Sequence, residues 1–109
     1  FIEVNLEASV LVSSNTERSL PGEILALSPN GAILRSDTNS AIGESLQLTL
    51  KSEQPINLRG NVKNYLKWND TKKVFLVKFE NLNQPQTDTL QQIMGYFTRL
   101  KKAGVQLGT

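Results

Sequence analysis

The chain has 109 residues, 39% of them hydrophobic and 20% charged, which is enough for one domain with a modest core. It has no apolar run long enough to span a membrane, and with no Cys and no His it lacks the residues for disulfides, thiolate metal sites and the commonest general base. Twelve Lys and Arg against ten Asp and Glu leave a formal charge of +2, too small a bias to point to nucleic acid.

The sequence starts at Phe1 rather than Met and shows no signal-peptide pattern, which predicts a single domain over residues 1–109 within a longer protein. Ile2, Val4, Leu6, Ala8, Val10 and Val12 alternate with polar positions, the period of a half-buried strand. Ser13 to Ser19 is polar throughout and is expected to be a loop, with Pro21-Gly22 marking its far side. Glu23 to Leu27 and Ala32 to Ser36 read as short strands on either side of Ser28-Pro29-Asn30-Gly31. Pro29 presets φ for such a tight turn, and Asn30 and Gly31 tolerate the positive φ expected there.

Asp37 to Ser40 forms the next loop, and Leu46, Leu48 and Leu50 then alternate with Gln47, Thr49 and Lys51. Ile56, Leu58, Gly60 and Val62 open a long strand that reaches Leu66 or Trp68, and Trp68-Asn69-Asp70-Thr71 reads as a hairpin. Val74 to Phe79 has the composition of a central strand. After Leu82 the period lengthens: Leu90, Ile93, Met94, Phe97 and Leu100 share one helical face. Asn83 and Gln86 form a capping box, Pro85 suits the first turn, and Gly104 ends the helix. Six strands with hairpin spacing followed by one amphipathic helix predict an all-β domain. The expected form is a six-stranded antiparallel barrel with the C-terminal helix laid across an opening.

An enzyme is not expected. Asp37, Asp70 and Asp88 sit where turns and helix starts favour Asp, and no nucleophile–base set, carboxylate pair or phosphate-binding glycine loop is present. Lys63, Tyr65, Lys67, Trp68, Lys72 and Lys73 interleave charge with aromatic rings, as single-stranded nucleic-acid sites do. A long strand with a wet lysine face and an aromatic anchor near its hairpin accounts for them better, and that reading is preferred. Trp68 near a hairpin also suits a protein interface.

The order and spacing of these pieces resemble the PilZ domain family. The resemblance covers nearly the whole chain: the opening strand Ile2–Val12, the strand–turn–strand with Ser28 and Gly31, Gly43 before the Leu46–Leu50 strand, the long strand through Leu58-Arg59-Gly60, Val77-Lys78-Phe79, and the final helix. It implies a PilZ-like barrel that binds cyclic dimeric GMP at the Ser28–Gly31 turn and acts in the bacterial cytoplasm, alone or as a cytoplasmic part of a larger or membrane-attached protein. The family's turn signature is an Asp or Asn, any residue, Ser, any two, Gly. Ser28 and Gly31 match it, and Ala26 stands where the acceptor would be. Losing one such hydrogen bond costs about 0.5–1.5 kcal/mol, up to roughly tenfold in affinity.

The family's other signature, two Arg separated by three residues, falls at or before Phe1. The resemblance thus nominates Ser28, Gly31 and Ala26 as ligand-binding positions. Arg18, the one Arg of the first polar stretch, is either a solvated charge or reaches a ligand phosphate. No further cofactor is expected. The implied partners are cyclic dimeric GMP and a protein or fused effector domain. The alternative is a degenerate PilZ adaptor that binds protein alone, through its helix or its Tyr65–Trp68 hairpin.

Overall fold

The computed structural model describes residues 1–13, 15–38, 40–68 and 73–104, with the side chains of 15–17, 67 and 68 outside that description. Six strands, β1 (Ile2–Val12), β2 (Asn15–Ser28), β3 (Gly31–Ser36), β4 (Ser45–Leu50), β5 (Ile56–Trp68) and β6 (Lys73–Phe79), precede one helix, α1 (Gln84–Lys102). Each strand pairs antiparallel with its neighbours, and the sheet closes on itself in the order β1-β2-β3-β6-β5-β4. Closure removes the unpaired edges that an open sheet would present.

The alternating apolar positions point inward. Val10, Ile24, Leu27, Leu34, Leu48, Leu50, Val62, Phe75 and Val77 are fully buried. Each such side chain contributes about 1.5–3 kcal/mol relative to exposure. Both ends of the barrel need covering, and the ring order decides how. β3 and β4 stand opposite each other in the ring, so the connection at 37–44 runs across one mouth, and Thr38 and Ser40 are buried there. α1 covers the other mouth with Leu90, Ile93, Met94 and Phe97, which join the core.

The helix starts as its sequence requires. Asn83 Oδ1 accepts from the Gln86 N–H at 2.9 Å, and Gln86 Oε1 accepts from the Asn83 N–H at 2.9 Å. Gly104, at φ +82°, follows its last turn.

One stretch departs from expectation. Residues 15–19 are not a loop: β2 begins at Asn15 and is already paired with β1, Asn15 opposite Val12 and Leu20 opposite Val10. This part of β2 runs beyond the end of β3 along β1, whose other edge is paired with β4, Val12 opposite Leu46 and Ala8 opposite Leu50. Its register against β1 slips between Val10 and Val12, so residues 16–19 stand against Leu11 alone, and a polar stretch with such an irregularity carries no hydrophobic periodicity. Pro21 fits there because β3 stops at Ser36, opposite Gly22, and asks no N–H of it. The expected hairpin at 69–71 and Lys72 lie outside the described residues.

Candidate functional site

Pro29 and Asn30 make a two-residue turn between Ser28 and Gly31, which pair with each other. Ser28 Oγ donates to Asn30 Oδ1 at 3.0 Å and lies 3.4 Å from the Gly31 carbonyl oxygen. The Phe79 N–H donates to the Asn30 carbonyl oxygen at 2.8 Å, tying the turn to the end of β6. Among the described residues positive φ is confined to Asn81, Gly43 and Gly104, so Asn30 and Gly31 do not adopt the left-handed conformation expected of them. Gly31 answers a different need. A Cβ there would stand 2.7 Å from the Val77 carbonyl oxygen, closer than such contacts occur. Gly60, on the other flank of β6, answers an inner constraint: a Cβ there would stand 2.5 Å from the buried Val77 Cγ1.

A bulge decides which residues share the outer face. Against β3 the β2 register slips between Ile24 and Ala26, leaving Leu25 as the extra residue. Strict alternation from the buried Ile24 would turn Ala26 and Ser28 inward. After the bulge Leu27 is the inward residue, and Ala26 and Ser28 face out. Ala26 is 9% exposed yet stands outside the core cluster.

Two outward rows then run across the sheet. The first takes Ser28, Gly31, Lys78 and Asn61; the second takes Glu3, Ala26, Ile33, Leu76 and Asn64. Lys78 is exposed, Ile33 and Leu76 are half-buried, and Glu3 is exposed. Ala26, Ser28 and Gly31 are therefore brought together, with an ammonium on one side and a carboxylate on the other. Lys78 was not nominated by the sequence reading. Its signal was the Val77-Lys78-Phe79 pattern, but only strand pairing sets it beside Gly31.

Arg18 does not join them. It lies in the part of β2 beyond the end of β3, roughly 30 Å back along the strand from Ser28 at ~3.3 Å per residue. Arg35, one row beyond Ile33, is ion-paired with Glu23. That pair lines a depression of about 430 Å³ with Glu7, Asp37 and Lys51. Three carboxylates against two cations make it a poor seat for an anion. A second groove, about 480 Å³, runs between α1 and the 52–54 segment, lined by Leu6, Ile93, Tyr96, Phe97 and Arg99. Among the described residues, no cluster of three His, Cys, Asp or Glu is suited to a metal, and no helix is long and apolar enough to cross a membrane.

Comparison with known proteins follows the fold. The family model of the PilZ domain matches residues 2–96. No curated protein matches the chain. Among solved structures, the PilZ domain with c-di-GMP of YcgR from Escherichia coli is similar at a TM-score of 0.73 and 14% identity, over 94% of this chain and 93% of that one. The Bacillus subtilis inhibitor of motility (MotI/DgrA) is similar at 0.68 and 16% identity, over 93% of this chain and 48% of that one, so this chain spans about half its length. The PilZ domain of CeSA from a cellulose-synthesizing bacterium is similar at 0.60 and 12% identity, over 87% of this chain and 95% of that one. At these identities the likeness is one of fold: the closed barrel with its helix.

Proposed function

The chain belongs to the PilZ domain family, and from that premise we propose that it is a cytoplasmic regulatory domain that takes cyclic di-GMP on the outer sheet face beside the Ser28–Gly31 turn and relays its presence through protein contacts. It is not itself an enzyme, and in this reading it is one unit of a longer protein. The observation that carries the reading is a register. Ile2 pairs with Leu27 and Glu3 with Ala26, so any residues preceding Phe1 come in beside the turn, where an arm folding over a ligand would have to start. α1 follows β6 at this same end of the barrel, so a ligand and an ordered arm would alter a surface continuous with the helix. The work is a disorder-to-order exchange, in which ligand contacts offset the entropy of the arm.

Ser28 would change partners. Its hydroxyl hydrogen is given to Asn30 and must turn away to reach a phosphate, while its lone pairs stay free to accept.

The experiment is calorimetric titration of cyclic di-GMP into the longest native protein that contains this domain. Low-micromolar or tighter binding, lost in Ser28→Leu with circular dichroism unchanged, supports the reading. No heat from a folded sample at high ligand concentration overturns it. Ser28 is the position to alter, because any side chain at Gly31 presses on β6 and confounds binding with folding.

A second reading, an adaptor that needs no nucleotide, is favoured by Glu3 standing opposite Ala26. There a carboxylate flanks the position that lacks the family's acceptor. The same titration decides between the two.

A further inference from the structure

Resting on the reading just given, we infer that Lys78 is a ligand-binding residue, and that the nucleotide lies over β3 and β6 rather than over β1 and β2. Three observations converge. Gly31 pairs with Ser28 on one side and Lys78 on the other, so no side chain stands between the hydroxyl and the ammonium. Two strand spacings of ~4.8 Å separate their backbones, a span that a cyclic dinucleotide phosphate can bridge. A ligand lying there meets bare backbone.

Charge points the same way. Cyclic di-GMP is a dianion and needs cationic partners. Arg35 is committed to Glu23 and Arg18 is at the far end of β2. Lys78 is exposed and makes no ion pair among the described residues. On the opposite flank Glu3 faces Ala26 and repels a phosphate. The field across the turn therefore slopes from β1 toward β6.

The floor also suits this placement. In the neighbouring row Ile33 and Leu76 are paired, outward and half-buried. They offer a flat apolar seat for a purine ring, while Glu3 and Ala26 offer none on the β1 side.

The test is titration of cyclic di-GMP into the same protein carrying Lys78→Glu, Lys78→Gln, Lys78→Arg, Glu3→Gln or Lys51→Glu, each checked for native circular dichroism. A charge-assisted hydrogen bond is at stake, so Lys78→Glu and Lys78→Gln are expected to weaken binding roughly tenfold or more. Lys78→Arg should restore it to within about threefold, and Glu3→Gln should tighten it. Lys51 lies beyond β4, where its N–H donates to the Glu7 carbonyl oxygen. Glu7 is about 13 Å from Glu3 along β1, more than a Debye length at physiological salt, so Lys51→Glu should leave affinity unchanged.

Equal affinity of Lys78→Gln and the parent, with Ser28→Leu still defective, overturns this inference and leaves the proposed function standing. Equal weakening by Lys51→Glu and Lys78→Glu overturns it in favour of a diffuse field. No binding by the parent overturns both.

Discussion

The two mouths of this barrel are closed by opposite chemistries. At one, α1 lays Leu90, Ile93, Met94 and Phe97 onto the core, and exclusion of water rests on apolar area shared among many contacts. At the other, the connection from β3 to β4 closes the interior with Ser36, Thr38 and Ser40. Ser36 Oγ donates to the Pro21 carbonyl oxygen at 3.1 Å and lies 2.8 Å from Thr38 Oγ1, and the Tyr65 hydroxyl donates to the Ser40 carbonyl oxygen at 2.5 Å. An apolar cover degrades gradually as methyl groups are removed. A polar one depends on a few bonds, each with a single donor to lose. The candidate site lies at the helix-covered mouth, where the turn, the first strand and the end of β6 come together. There a graded, area-based contact can shift without leaving a buried polar group unpaired.

Substitutions test that contrast. Leu90→Ala removes the most buried side chain of the helix cover, 1% exposed, and should cost about 2–5 kcal/mol in urea denaturation. A loss below ~1 kcal/mol would mean the helix is not part of the cooperative unit. Gly31→Ala, which forces β3 away from the Val77 carbonyl, should cost about 1–3 kcal/mol and accelerate amide exchange at Phe79, whose N–H is bonded to the turn. Unchanged exchange would show that the turn and β6 are not coupled.

At the polar mouth, Tyr65→Phe keeps the edge-to-face contact with Phe75 and deletes only the hydroxyl, for about 0.5–1.5 kcal/mol. The smallest effect is expected at Ser40, whose buried Oγ has no partner among the described residues. Ser40→Ala should leave the thermal midpoint unchanged or raise it slightly. A clear fall would show that the hydroxyl is bonded to a bound water, and would make this mouth as complete as the other.

Much of this arrangement is written locally. β1 is legible because its inner face repeats without interruption from Ile2 to Val12, and the helix start because Asn83 and Gln86 satisfy each other's backbone groups within one turn. The start of β2 is illegible for the converse reason: residues 15–19 are polar in sequence, and their place in the sheet is set by the pairings of Asn15 and Leu20 with β1. The turn at Ser28–Gly31 is legible as a turn, but not the reason for its glycine, which is the approach of a strand far along the chain.

Local pattern and capping thus determined the strands apart from the start of β2, the helix and the family to which they belong, because each depends on residues within a few positions of one another. Which residues gather at the candidate site was decided by tertiary structure. The bulge at Leu25 turns Ala26 and Ser28 outward, against the parity counted from Ile24. The pairing of β3 with β6 brings Lys78 next to Gly31, and Arg18 stays at the far end of β2. The physical reason is that a side chain's face depends on a register summed along the whole strand, and its neighbours on pairings between strands. No window of the sequence contains either.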